Sequence, residues 1–192
     1  MTPLPRFFSA SIVSTVASLL IPAAHAQTNP ISGTLGAQLI LTKSCVISQG
    51  GATAGSFGML DFGTQPGNFA GALSAQSLSV AGGSSTQIIC SADVTSVNVT
   101  VDGGLHAGSG ATVGTGTRAL ASATGAFVPY DVYSAATALA INRYVPGTAQ
   151  AVLVTSLGAP FNLPVFGAIN KTATTALPSG TYVDTLNVTL GW

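Results

Sequence analysis

The chain contains no glutamate. Its acidic groups are five aspartates, its basic groups are five lysines plus arginines, and its formal net charge is zero. Charged residues make up 5% of the 192 residues, against about a quarter in an ordinary soluble domain. That shortage excludes nucleic-acid binding, which needs a basic surface to neutralise phosphates. It also excludes disorder, which needs high charge and low hydrophobicity. A soluble monomer with so few charges is prone to self-association. Two readings fit: a secreted β-domain with a Ser/Thr/Asn-rich surface, or a subunit that is kept assembled.

The usual equipment of catalysis is missing as well. Beyond residue 26 the only histidine is His106, in a glycine-rich stretch where a solvated role fits best. The glycines from Gly108 to Gly116 resemble a phosphate-cradling loop. They lack the Lys-Ser/Thr and the helix that such a loop requires, and Arg118 is the nearest base. Asp61-Phe62-Gly63 matches the magnesium-binding triplet of protein kinases. It stands without the Gly-rich loop, its lysine or the catalytic loop, so Phe57, Leu60 and Phe62 read as core residues of a strand. Asp61, Asp102 and Asp131 fall at expected strand ends or turns, where Asp bonds to local backbone. Three glycosylation sequons begin at Asn98, Asn170 and Asn187, two of them inside expected strands. The sequence assigns no catalytic, cofactor-binding or metal site, and no cofactor.

Cysteine is scarce: Cys45 and Cys90 only. There is no CxxC and no His cluster, so a metal or redox pair is the weaker reading. A single disulfide is the default in an exported chain. Closing a loop of about 45 residues stabilises by roughly 4 kcal/mol in the chain-entropy model.

Export is what the N-terminus implies. Arg6 supplies a positive n-region, a largely apolar run extends from Phe7 to Ile21, and Ala24-His25-Ala26 fits the small-x-small cleavage rule. Serines interrupt the run and Pro22 follows it, which disfavours a permanent transmembrane helix. Residues 1–26 are therefore expected to be a signal peptide, and residues 27–192 suffice for one domain with a real core.

No amphipathic helix is evident. Short strands alternate with Gly- and Ser-rich turns such as Gly82-Gly83 and Gly103-Gly104. Expected strands are 87–90, 97–101, 127–133 (Pro129 marking an edge or a bulge), 151–155, 163–169 and 185–192. Residues 108–116 read as a mobile loop. About seven strands with such turns make a β-sandwich. In the last strand Leu186, Val188, Leu190 and Trp192 share one face, expected to be the core face, and Thr185, Asn187 and Thr189 the other.

Most informative is the stretch after the cleavage site. Ile31, Gly33, Leu35, Ala37, Leu39 and Leu41 alternate with mostly polar residues. That two-residue period marks a strand with one buried face. It either packs as the ordinary first strand of its own domain or is donated to a neighbour.

The motif order carries a resemblance. After the alternating arm come Cys45-Val46, Phe57-Gly58-x-Leu60-x-Phe62-Gly63, Cys90, Val101-Asp102-Gly103-Gly104 and Tyr130-Asp131-Val132-Tyr133. Val165-Phe166-Gly167-Ala168-Ile169 and Gly180-Thr181-Tyr182-Val183-Asp184-Thr185-Leu186-x-Val188-Thr189 follow. This resembles the spore coat protein U-like family, and within it the major pilins of archaic, Csu-type chaperone–usher pili. The Leu190-Gly191-Trp192 end departs from the pattern: its Gly weakens the last strand and its Trp is bulky.

The resemblance implies an incomplete immunoglobulin-like β-sandwich lacking its final strand, with residues 27–42 as a donor arm and 43–192 as the pilin domain. A periplasmic chaperone would lend the missing strand, and an outer-membrane usher would oversee its replacement by the next subunit's arm. Ile31, Leu35, Leu39 and Leu41 would be the large plugs, with Gly33 and Ala37 in shallow pockets. Leu186, Val188, Leu190 and Trp192 would form the edge strand of the acceptor groove. Identical subunits joined head to tail would make a fibre. It would lie on the surface of a Gram-negative bacterium and serve adhesion and biofilm formation, with no nucleic-acid partner and no membrane insertion after signal cleavage. The alternative is a self-contained secreted coat or matrix protein.

Overall fold

The computed structural model of the chain describes residues 31–48, 55–78 and 86–192. The expected signal peptide lies outside the described residues, as do residues 27–30 of the arm. Two units divide after Ile40. In the described part of the first, residues 31–40 belong to no strand, and Ile31, Leu35, Leu39 and Ile40 are all exposed. A strand exists only by pairing, so an alternating sequence without a partner forms no ladder.

The second unit, Leu41–Trp192, is built almost wholly from strands. They are β1 (Cys45–Ser48), β2 (Met59–Leu60), β3 (Gly71–Leu78), β4 (Gln87–Cys90), β5 (Ser96–Val101), β6 (Gly114–Thr115) and β7 (Arg118–Ser122). Then follow β8 (Phe127–Tyr133), β9 (Ala149–Leu153), β10 (Phe161–Asn162), β11 (Phe166–Lys171), β12 (Tyr182–Val183) and β13 (Val188–Gly191). Among the described residues one 3-10 turn spans Ala140–Asn142. Among the described residues no helix is long and apolar enough to cross a membrane.

Among the described residues these strands form three antiparallel sheets, in the orders β1-β4-β10, β12-β7-β8-β11-β3-β2 and β13-β5-β9, with β6 also pairing β11. Alternation explains which faces meet. In β5, Val97, Val99 and Val101 are buried while Ser96 and Asn98 are exposed. Ile88 and Phe161 from the first sheet join Val128, Tyr130, Val132 and Ile169 from the second and Val97, Val99 and Val152 from the third in one core. The chain is all-β and sandwich-like. Cys45 and Cys90 face each other across β1 and β4 and are joined by a disulfide.

Several expectations need correction. Seven strands become thirteen among the described residues, because short two-residue pairings (β2, β6, β10, β12) leave no period to read. The expected strand 163–169 is realised only from Phe166, as β11 (Phe166–Lys171) in the second sheet, while residues 163–165 connect it to β10 in the first. Pro129 lies in a central strand, β8, flanked by β7 and β11. Pairing of β8 with β11 ends at Tyr130↔Ile169, and the next β11 residue, Asn170, pairs with Thr115 of β6. Pro129 therefore has no rung to break on that side. The 108–116 stretch is a run of hydrogen-bonded turns, with bonds such as Gly108 N–H to Thr117 O and Val113 N–H to Gly110 O. It ends in the β6 ladder. His106 is half-buried, its ring tilted on Phe127 with centroids 5.5 Å apart. Asp131 bonds beyond its own neighbourhood, accepting from the Thr117 amide and hydroxyl and facing Arg143. Trp192 does not face the core: it is 54% exposed, with its indole N–H donating to the Lys43 carbonyl at 3.3 Å.

Candidate functional site

β13 stands at the end of its sheet, with β5 as its ladder partner. Beside it runs a groove of about 540 Å³, walled by residues 55–60 and Phe62 on one side and by 184–189 on the other. Leu120, Tyr130 and Val165 also line it.

The first wall is held by its backbone. Phe57 O accepts from Ser77 Oγ at 2.7 Å and from Thr86 Oγ1 at 2.6 Å. Met59 and Leu60 pair with Leu78 and Ser77 of β3. Gly58 is required twice over. Its φ is +90°, and a Cβ there would stand 2.5 Å from Leu78 O. Phe57, Leu60 and Phe62 pack against the core, but of the expected strand only Leu60 belongs to one, β2; Phe57 and Phe62 flank it. The Phe62 ring meets the Tyr130 ring edge-on at 6.1 Å.

The second wall follows the alternation read from the sequence. Leu186, Val188 and Leu190 pack against the core while Thr185, Asn187 and Thr189 are exposed. Of the four residues expected along the groove edge, Leu186 and Val188 line the groove. Leu190 lies further along β13, opposite Val99, and Trp192 is at the exposed end. The six arm positions, Ile31, Gly33, Leu35, Ala37, Leu39 and Leu41, are all exposed.

At one end of the second wall is a polar network that the sequence did not reveal. Asp102 Oδ1 accepts from the amides of Gly104 and Asn187, both at 3.0 Å, and Oδ2 accepts from Asn187 Nδ2 at 2.7 Å. Asp184 Oδ1 accepts from the Leu105 amide at 2.9 Å, and Oδ2 accepts from the Tyr130 hydroxyl at 2.9 Å. Arg118, fully buried, donates Nε to Asp102 O at 2.8 Å and Nη2 to the carbonyls of Val101 at 3.2 Å and Tyr144 at 3.0 Å. Buried charge demands such partners. The clue in the sequence is an arginine among small apolar residues in Thr117-Arg118-Ala119-Leu120, a segment not read as a strand.

The electrostatics follow from these contacts. Burial works to raise the Asp102 pKa. The Asn187 side chain, the Gly104 and Asn187 amides and the Arg118 charge outweigh it and hold the carboxyl below its ordinary value. Burial lowers the Arg118 pKa, opposed by the Tyr130, Asp131, Asp102 and Asp184 charges. Burial, then the Asp184 charge and its hydrogen bond, push the Tyr130 hydroxyl well up, so it stays a donor.

Among the described residues no three His, Cys, Asp or Glu side chains are grouped to hold a metal. A strand edge unpaired among the described residues, beside a partly apolar groove, is suited to an extended segment. Main-chain bonds would hold it and side-chain pockets would select it.

The model of the Spore Coat Protein U domain family matches residues 31–189. The chain belongs to that family. No curated protein matches it. Among solved structures it is similar to a chaperone–tip adhesion subunit pre-assembly complex from the archaic chaperone–usher Csu pili of Acinetobacter baumannii. Identity there is 23% and the TM-score 0.44, with 79% of this chain and 40% of that chain covered. The chain thus spans less than half the length of that relative.

Proposed function

We propose that this Spore Coat Protein U domain is a structural subunit of a surface pilus, completed by a strand from another subunit. A periplasmic chaperone fills the groove first. At an outer-membrane usher, the arm of the next copy replaces it, with Ile31, Leu35, Leu39 and Leu41 as plugs and Gly33 and Ala37 over shallow places. Head-to-tail donation does not close, so it yields a fibre, exported through the periplasm of a Gram-negative bacterium to its surface for adhesion and biofilm formation.

One observation carries the reading: the strand edge of β13 borders a groove that accepts no ladder partner from the described residues. The exposed alternating arm supplies a strand of the matching kind. The poverty in charge suits a chain that is always assembled. The test is to purify the full chain with its cognate chaperone and add a synthetic peptide of residues 31–41. Displacement of the chaperone and a stable peptide complex are expected. A self-contained monomer that needs no chaperone and ignores the peptide would favour the coat or matrix reading.

A further inference from the structure

The stretch between β12 and β13 changes sheets. Tyr182–Val183 pairs with β7 in the second sheet and Val188–Gly191 pairs with β5 in the third. Residues 184–187 pass from one to the other with no ladder of their own, yet all four line the groove. A strandless stretch at a binding edge is free to fluctuate unless something holds it.

Two carboxylates hold it. β5 ends at Val101, so the next rung of its ladder is made by Asp102. The Asp102 amide donates to Asn187 O at 3.0 Å, and its carboxylate accepts from both the amide and side chain of Asn187. Three residues earlier, Asp184 reaches the Leu105 amide and the Tyr130 hydroxyl, tying the stretch both to the 102–105 turn and to β8. Gly104 makes room for this: its φ is +72°, and a Cβ would collide with the Asp184 carboxylate. The Val101–Gly104 and Gly180–Thr189 motifs and Tyr130 thus converge on one wall of the groove.

We propose that Asp102 and Asp184 are positioning residues for strand uptake: they clasp residues 184–187 so that the groove edge is laid out before a donor strand arrives. The inference rests on the donor-strand reading above. A donor pairing with an edge already in place avoids the cost of ordering it, so the clasp acts on association. Once the donor is in, its own ladder holds the stretch, and dissociation depends on the clasp less.

The test uses the full chain freshly released from its chaperone, so that the groove is open, and a fluorescent peptide of residues 31–41. Asp184→Asn and Tyr130→Phe are compared with the wild type and with Asp93→Asn, whose exposed carboxylate faces Lys43. The expected result is uptake slowed about tenfold in both clasp variants, the factor set by one charge-assisted hydrogen bond. Dissociation should change little, and Asp93→Asn should behave as wild type. A glue that served stability alone would leave the uptake rate unmoved. Amide hydrogen exchange at Leu105, whose amide donates to Asp184, should also quicken in Asp184→Asn before any peptide is added, whereas Tyr130→Phe leaves that bond in place. If Asp184→Asn does not accumulate, Tyr130→Phe decides the matter, since it leaves the Asp184–Leu105 bond in place. Wild-type uptake rates in the clasp variants, or an equal slowing in Asp93→Asn, would overturn the proposal. If the wild type takes up no peptide, the donor-strand reading falls and the positioning role falls with it. Unchanged exchange at Leu105 in Asp184→Asn refutes the clasp alone.

Discussion

Asp102 and Asn187 bind each other three times. The Asp102 amide donates to the Asn187 carbonyl, the Asn187 amide to Asp102 Oδ1, and the Asn187 side chain to Asp102 Oδ2, over distances of 2.7 to 3.0 Å. Side chain and backbone together extend the β5–β13 ladder one rung beyond the end of β5.

This pair makes stability depend on pH in a definite direction. The Asp102 carboxyl is held below its ordinary value, so the folded state favours the ionised form. Its contribution is complete above the unfolded carboxylate pKa of about 4 and is lost as pH falls through the lower folded value. Asp102→Asn turns an amide NH₂ toward a donor and should cost about 1–2 kcal/mol at neutral pH. It should also flatten the fall in stability below about pH 4. Urea unfolding of the donor-completed subunit at a series of pH values checks both effects. A variant whose acid limb parallels the wild type would show that other carboxylates govern it.

The disulfide joins directly opposed residues of β1 and β4. Replacing Cys45 or Cys90 with Ser should cost about 2–4 kcal/mol and lower subunit yield. Thiol titration of unfolded, unreduced material from the periplasm should find no free thiol. Two free thiols would mean that the bond does not form during export.

Val188 lines the groove and packs against the core. Val188→Asp would place a carboxylate there without a partner, costing at least about 2 kcal/mol. The variant should fail to accumulate in the periplasm, whereas Thr189→Asp, on the exposed face, should be tolerated. Immunoblots of periplasmic fractions make the comparison. Equal yields would mean that the two faces of β13 are exchanged.

Legibility in the sequence tracked side-chain contrast. Val97, Val99 and Val101 against Ser96, Asn98 and Thr100 gave β5 almost to the residue, and Gln87–Cys90 coincided with β4. β3, Gly71–Leu78, was not legible. Its inward residues are Leu73, Ala75 and Ser77 and its outward ones Ala72, Ser74 and Gln76, too alike in size and polarity to set a period. The Arg118–Ser122 strand was hidden for a related reason: its buried face carries a charge held mainly by carbonyls of other segments. Leu186 and Val188 were legible as one face of a strand, and Phe57, Leu60 and Phe62 as core. That these two sets wall one groove is a tertiary fact, and alternation within a strand holds no information about its neighbour.

The central claim is that residues 31–41 complete another copy of the chain, and self-assembly of the purified protein tests it most directly. The full chain, released from its chaperone, should give SDS-resistant ladders on unboiled gels. Deletion of Gln27–Leu41, or Leu35→Asp or Leu39→Asp, should stop the ladder while leaving a domain that still accepts an arm peptide. A monomer that unfolds reversibly without a chaperone, and that the arm deletion unfolds outright, would contradict the account.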